Sequence, residues 1–222
     1  MDRTIPFSPD GTLRLKTFSG RVTITGKSAN EVVIHAVRRA TRDRLDRIKL
    51  DIRVSGPTIK IEANKKEDSW FNFRGDNVVE TDFDIQVPVR TKLEVSVFSS
   101  SVGISGVSGP HDVHGFSSDL TLRSIDGRLK ARTFSGSIHI DLASTANAPE
   151  LDVDTFSGDI DVRLNESAKG NLSFNSFSGD LRSDIPLILI QKSRRRLSAR
   201  LNDGGSNELQ FKTFSGDVRL TR

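Results

Sequence analysis

The chain has 222 residues and no cysteine, which excludes disulfides and thiolate metal sites. It has no run of 18 apolar residues, which excludes a membrane-spanning helix. The N-terminus, Met1-Asp2-Arg3-Thr4, lacks the apolar stretch of a signal peptide, so the expectation is a cytoplasmic protein or one whose leader has been removed. A surplus of one charge sign is missing too. Lys plus Arg number 33 and Asp plus Glu 29, giving a net charge of +4 with the signs interspersed. A nucleic-acid binder would concentrate its basic charge on one face, and no nucleic-acid partner is expected. The one dense basic run, at 192–196, is short and reads as a solvated loop rather than a polyanion site. Hydrophobic content is only 35%, and glycine and serine are abundant, which suits short strands with tight corners better than helices.

What is present is a repeat. Phe-Ser-Gly occurs at Phe18, Phe134, Phe156, Phe177 and Phe214, with Phe-Ser-Ser variants at Phe98 and Phe116. The steps 98 to 116 and 116 to 134 are 18 residues each, and Val107-Ser108-Gly109 and Ile125-Asp126-Gly127 fall halfway. Two corners per 18-residue unit imply two short strands per coil, one on each side of a flattened solenoid. Alternation supports this. Leu93/Val95/Val97, Leu129/Ala131/Thr133 and Leu151/Val153/Thr155 precede Phe corners, and Val102/Ile104, Leu120/Leu122 and Ile138/Ile140 follow them, with polar residues between. Period 2 places the apolar set inside and the intervening residues outside. Serine and glycine supply the corner's hydrogen bonds and backbone freedom. A helical period of 3.6 fails throughout, and only 27–47 and 187–200 tolerate helix.

The expected fold is all-β: a single-stranded, β-helix-like solenoid, flattened into two sheets and wound to the right, with β-hairpin insertions. One domain spans 1–222. Residues 1–90 form less regular coils and a hairpin around Ser55-Gly56-Pro57, and 91–222 form regular coils interrupted by an excursion at 183–207.

Several of these residues resemble a known group. The stretch from Gly11 to Gly26, the repeated Thr-Phe-Ser-Gly-Asp-Ile and the C-terminal Leu209 to Leu220 are similar to the bacterial "putative adhesin" domains, also grouped as toastrack-type β-repeats. The resemblance covers nearly the whole chain. Its members more often carry valine or another small apolar residue at the corner, so the Phe column is a departure. The resemblance implies an extracytoplasmic or cell-envelope protein, non-enzymatic, with an unknown protein or glycan partner and no agreed catalytic residues. A glycan-active or glycan-binding β-helix protein and a purely structural scaffold are the alternatives. Association of copies through the solenoid ends is a further expectation.

Candidate sites follow from departures from polarity. The corner column Phe98, Phe116, Phe134, Phe156, Phe177 and Phe214 is expected to be buried, because six rings exposed in line would form an aggregation-prone patch. On that reading Phe156→Ala costs about 3–5 kcal/mol. The column Asp119, Asp159, Asp180 and Asp217 is expected to cap corner amides rather than hold calcium. Arg128, Lys130 and Arg132 should lie beside Asp152 and Asp154 on the outer face. His111 and His114 should point to opposite faces, and no third ligand completes a zinc site. No catalytic, cofactor or metal residue is expected, since neither a nucleophile elbow nor a phosphate loop occurs. The candidate contact loop is at 64–77, carrying Trp70, Phe71, Phe73 and Arg74 beside Lys65 and Lys66.

Overall fold

Alternating apolar residues make strands, and the chain is strand almost throughout. The computed structural model describes residues 1–66, 78–142 and 149–222. The first third runs β1 (Asp2–Pro6), β2 (Thr12–Lys27), β3 (Glu31–Arg39), a short helix α1 (Arg42–Arg47), β4 (Ile48–Ser55) and β5 (Thr58–Lys66). The middle runs β6 (Glu80–Pro88), β7 (Lys92–Ser105), β8 (His111–Ser117), β9 (Leu120–Arg123), β10 (Leu129–Ser135), β11 (Ile138–Leu142), β12 (Leu151–Ser157) and β13 (Ile160–Leu164). The last third runs β14 (Gly170–Ser178), β15 (Leu181–Ser183), β16 (Leu187–Lys192), β17 (Arg196–Leu201), β18 (Glu208–Ser215) and β19 (Val218–Thr221).

These strands form two facing walls. The first wall holds the strands that lead into the Phe corners, in the order β4-β5-β2-β7-β8-β10-β12-β18-β14-β17-β16. The second holds those that leave them, in the order β1-β3-β6-β2-β7-β9-β11-β13-β19-β15. The long strands β2 and β7 bend at their Phe corners and take part in both walls. Pairing is parallel along the middle of each wall, as a solenoid requires. Antiparallel hairpins finish the first wall at both ends and the second at one.

The register aligns like with like. Leu93, His111, Leu129, Leu151, Leu209 and Leu172 lie in one column, and Val102, Leu120, Ile138, Ile160 and Val218 in another. These columns face each other across a continuous core in which most side chains are fully buried. Fully burying a Val, Leu or Ile contributes about 1.5–3 kcal/mol, so the core outweighs any surface contact considered below. The hairpin expected around Ser55-Gly56-Pro57 is present as β4–β5. The helix α1 lies in the 27–47 stretch that tolerates helix.

Chain order and spatial order part company in two places. The first coil, β2, sits beside β7, and β18 inserts between β12 and β14. The 37-residue step from Phe177 to Phe214 arises here. The chain makes the end of the roll first, turns back through the β16–β17 hairpin, and then fills the gap it has left.

Candidate functional site

The Phe corners follow from side-chain parity. In β10, Leu129, Ala131 and Thr133 point inward and are buried, so Lys130, Arg132 and Phe134 point outward. The strand continues through the phenylalanine, and its ring belongs to the outer face. The expectation that the Phe column is buried is therefore wrong. Phe98, Phe116, Phe134, Phe156, Phe177 and Phe214 are 42–54% exposed, and Phe18 joins them at 39%.

The seven rings form one ladder, in the spatial order Phe18, Phe98, Phe116, Phe134, Phe156, Phe214, Phe177. Adjacent centroids are 4.6–5.0 Å apart, and the planes lie within 15° of each other. Strand spacing sets that distance, so the ladder runs for roughly 28 Å. Each inner ring covers both faces against its neighbours and shows only its edge to water. Among the described residues only the terminal rings have a face not taken by another phenylalanine, and the guanidinium of Arg195 lies 4.1 Å over that of Phe177.

The rest of the tripeptide builds the corner. Thr17, Thr133, Thr155 and Thr213 precede four of the rings and point inward, and two of their hydroxyls donate to corner carbonyls: Thr133 Oγ1 to Ser135 O at 3.0 Å and Thr213 Oγ1 to Gly216 O at 2.9 Å. The glycine turns the chain with φ of 127° at Gly136 and 150° at Gly158. A Cβ on Gly158 would lie 2.1 Å from the carbonyl oxygen of Gly136 in the rung beside it. The Phe-Ser-Ser rungs lack that left-handed turn: β7 runs on through Phe98, and β8 gives way to β9 after Ser117. Ser118 is buried there, with its Oγ donating to Phe98 O at 3.2 Å and accepting from the amide of Ser100.

Three members of the aspartate column cap amides, as expected, and the fourth, Asp180, supplies one of the capped amides. Asp119 Oδ1 accepts from the amide of Ser137, Asp159 Oδ1 from that of Asp217, and Asp217 Oδ1 from that of Asp180, each at 2.9 Å. Asp82 does the same for the amide of Arg21 at 2.8 Å, and this bond, with Arg39 beside it, holds its carboxyl below the usual carboxylate range. The outer charge ladder also forms. Arg132 meets Asp152 at 3.2 Å, Arg128 meets Glu150 at 2.9 Å and Arg163 meets Asp141 at 2.6 Å. Among the described residues no cluster of three or more histidines and carboxylates could hold a metal.

His111 and His114 point to opposite faces. His114 is at the surface beside Asp112, whereas His111 is 3% exposed in the leucine column, between Leu93 and Leu129. Neither ring nitrogen of His111 has a hydrogen-bond partner, and burial pushes its pKa down to about 4. The expected contact residues Trp70, Phe71, Phe73 and Arg74 lie outside the described residues.

Two contributions were not foreseen. Phe18 is 80 residues from Phe98 in sequence, yet its Phe-Ser-Gly, shared with Phe134, Phe156, Phe177 and Phe214, was the available signal that it caps the same ladder. The other is Arg195, which reaches Phe177 because β17 pairs with β14 and brings the basic turn alongside that corner.

Residues 91–221, more than half the chain, match the family model described as Toastrack DUF4097. The chain belongs to the toastrack family. In this toastrack protein the match begins where the regular coils begin and includes the β16–β17 hairpin, while the first coil and the β4–β5 hairpin precede it. Three solved structures are similar in chain course. A "putative cell adhesion protein" from Clostridium sporogenes is 11% identical, with a TM-score of 0.48 over 100% of this chain and 98% of that one. A "putative adhesin" from Bacteroides fragilis is 11% identical, with a TM-score of 0.35 over 99% and 96%. Another from Parabacteroides distasonis is 9% identical, with a TM-score of 0.29 over 99% and 96%. At these values their names do not bear on what this toastrack chain does. A search of curated proteins finds no match.

Proposed function

We propose that this toastrack chain is a non-enzymatic interaction module of a bacterial cell surface or envelope, and that it meets its partner along the Phe corner. The observation that carries the reading is the exposed seven-ring ladder. A protein that only needed to close its corners could do so with apolar residues inside, as it does at Val107 and Ile125. A line of phenyl edges in water costs solubility, and such patches mark interaction sites. The non-enzymatic part of the reading is supported by how the carboxylates are used. Asp119, Asp159 and Asp217 cap amides, and Asp141, Glu150 and Asp152 pair with arginines on the surface.

The ladder's geometry favours a protein or other apolar partner over a stacked sugar. Sugars stack on ring faces, and here the inner rings have their faces against one another. The reading is tested on cells of the native host. Protease and antibody added to intact cells should reach the protein, and Phe134→Ser with Phe156→Ser should leave it folded but release it from its cross-linked partner. Protein found only in the cytosol, or a cross-linking pattern unchanged by the two serines, would overturn it.

A further inference from the structure

A second exposed apolar surface lies at the end of the first wall, and the Phe ladder has no part in its composition. In β16, Ile188, Leu189 and Ile190 are 53%, 55% and 60% exposed. Ile188 and Leu189 are consecutive strand residues on opposite faces, and Ile190 lies in the β-bulge that follows, so this strand shows alkyl groups on both of its faces at once. Among the described residues β16 pairs only with β17, leaving its other edge without a strand. Beneath it a cleft of about 430 Å³ is lined by Leu181, Ile185, Pro186, Leu187, Leu189 and Leu197, with Ser183 and Asp184 as its polar members.

The charge around this strand is one-sided. Residues 181–201 contain Arg182, Lys192, Arg194, Arg195, Arg196 and Arg200 against the single carboxylate Asp184. Six cations less one anion is +5, whereas the whole chain is +4, so the remainder of the molecule is net −1. The mild basicity of the protein thus comes from one end. Among the described residues, Lys192, Arg194, Arg195 and Arg196 have no ion-pair partner. Arg195 instead lies over the ring of Phe177.

We infer that this end of the roll docks on the surface of an anionic lipid bilayer. The alkyl groups of β16 would enter the boundary between headgroups and acyl chains, and the basic turn would sit among the lipid phosphates. A second copy fits less well, because end-to-end contact would set one basic turn, with Lys192, Arg194, Arg195 and Arg196, against another. A rigid acidic protein also fits less well, since one surface cannot cover both faces of a projecting strand, whereas a fluid interface can. The strand's free backbone edge keeps the contact at headgroup depth, where water still reaches its amides and carbonyls. The inference does not depend on the partner proposed for the Phe corner.

The test uses the full chain with vesicles of pure phosphatidylcholine and with vesicles containing about 30% phosphatidylglycerol, sedimented at low and high salt. Binding should be at least tenfold tighter to the anionic vesicles and should weaken as salt rises. Ile188→Ser with Ile190→Ser, and separately Arg194→Glu with Arg196→Glu, should each weaken it tenfold or more while the melting temperature stays put. These side chains are on the surface, so the variants should fold. Equal binding to both vesicle types, no binding, or unchanged binding by the variants would overturn the inference. So would a stable dimer in light scattering that the serine variant dissolves, or retention on polyglutamate without vesicle binding. Those last two outcomes would assign the surface to a second copy or to an acidic protein.

Discussion

Each coil of the roll turns twice, and the two corners solve one steric problem with opposite use of apolar groups. Where glycine makes the turn it presses on the neighbouring rung at both corners: a Cβ on Gly127 would lie 2.1 Å from Gly109 O, and one on Gly158 would lie 2.1 Å from Gly136 O. At the glycine corner without phenylalanine, Val107 and Ile125 point inward and are fully buried. At the Phe corner phenylalanine takes the outward place, and the inward one goes to threonine at Thr17, Thr133, Thr155 and Thr213 and to Val97, Gly115 and Ser176 in the other rungs. The difference shows that a corner closes without a ring, and Ser100 and Ser118 stand in the glycine's place in two of the Phe rungs. An aliphatic group inside holds the roll together, whereas a ring outside is held by the roll.

Substitutions that treat the two corners alike should therefore give different answers. The largest effect is expected for Ile125→Ala, which opens a cavity in a fully buried site and should cost about 2–5 kcal/mol in denaturant unfolding. Gly158→Ala should cost about 3 kcal/mol, because the new methyl group meets a carbonyl and φ is in the left-handed region. An effect under ~1 kcal/mol there would mean that the corner backbone can shift, contrary to the tight stacking of its rungs.

His111 sharpens the contrast from the inner wall. Its imidazole is neutral in the fold down to about pH 4, while the unfolded chain takes up a proton near 6.5. Between these values the unfolded state binds more protons, so stability should fall as pH drops from 6.5 towards 4 and be complete above 6.5. The loss is at most about 3 kcal/mol. His111→Leu should remove this slope and raise stability at neutral pH, since leucine is the residue of that column; a slope that survives the change would place its source elsewhere.

Phe156→Ala comes next, at about 1–2 kcal/mol, the loss of stacking against Phe134 and Phe214 rather than of a core side chain. A cost near that of Ile125→Ala would erase the distinction between the corners. The smallest effect is expected for Arg132→Ala, at ~0–1 kcal/mol, because its partner Asp152 is reached across the solvent-facing wall.

Much of this architecture was legible before any coordinates. The 18-residue steps, the half-step glycines at Gly109 and Gly127 and the period-2 apolar columns specify two strands per coil. They also place Arg132 near Asp152. The aspartates after the corner signalled amide capping by their chemistry and position. The orientation of the Phe column was legible too. Once Ala131 and Thr133 are inside, parity alone puts Phe134 outside. Hydrophobicity argued the other way, and parity prevailed because the strand does not stop at the phenylalanine. Spatial order was the part that could not be read. Nothing in the 37-residue step tells whether Phe214 follows Phe177 in the ladder or precedes it, since that depends on β17 blocking the free edge of β14.

The placement of β18 and β19 also bears on how the protein is made. The strands β14 and β15 leave the ribosome first, yet their partners in both walls are synthesised later. Until Glu208 to Thr221 has emerged, the preceding coils end in unpaired edges at β12 and β13, and the β14–β17 unit has nothing to join. Closure of the roll is thus a late, long-range event in biosynthesis, and the nascent chain carries its open edges until then.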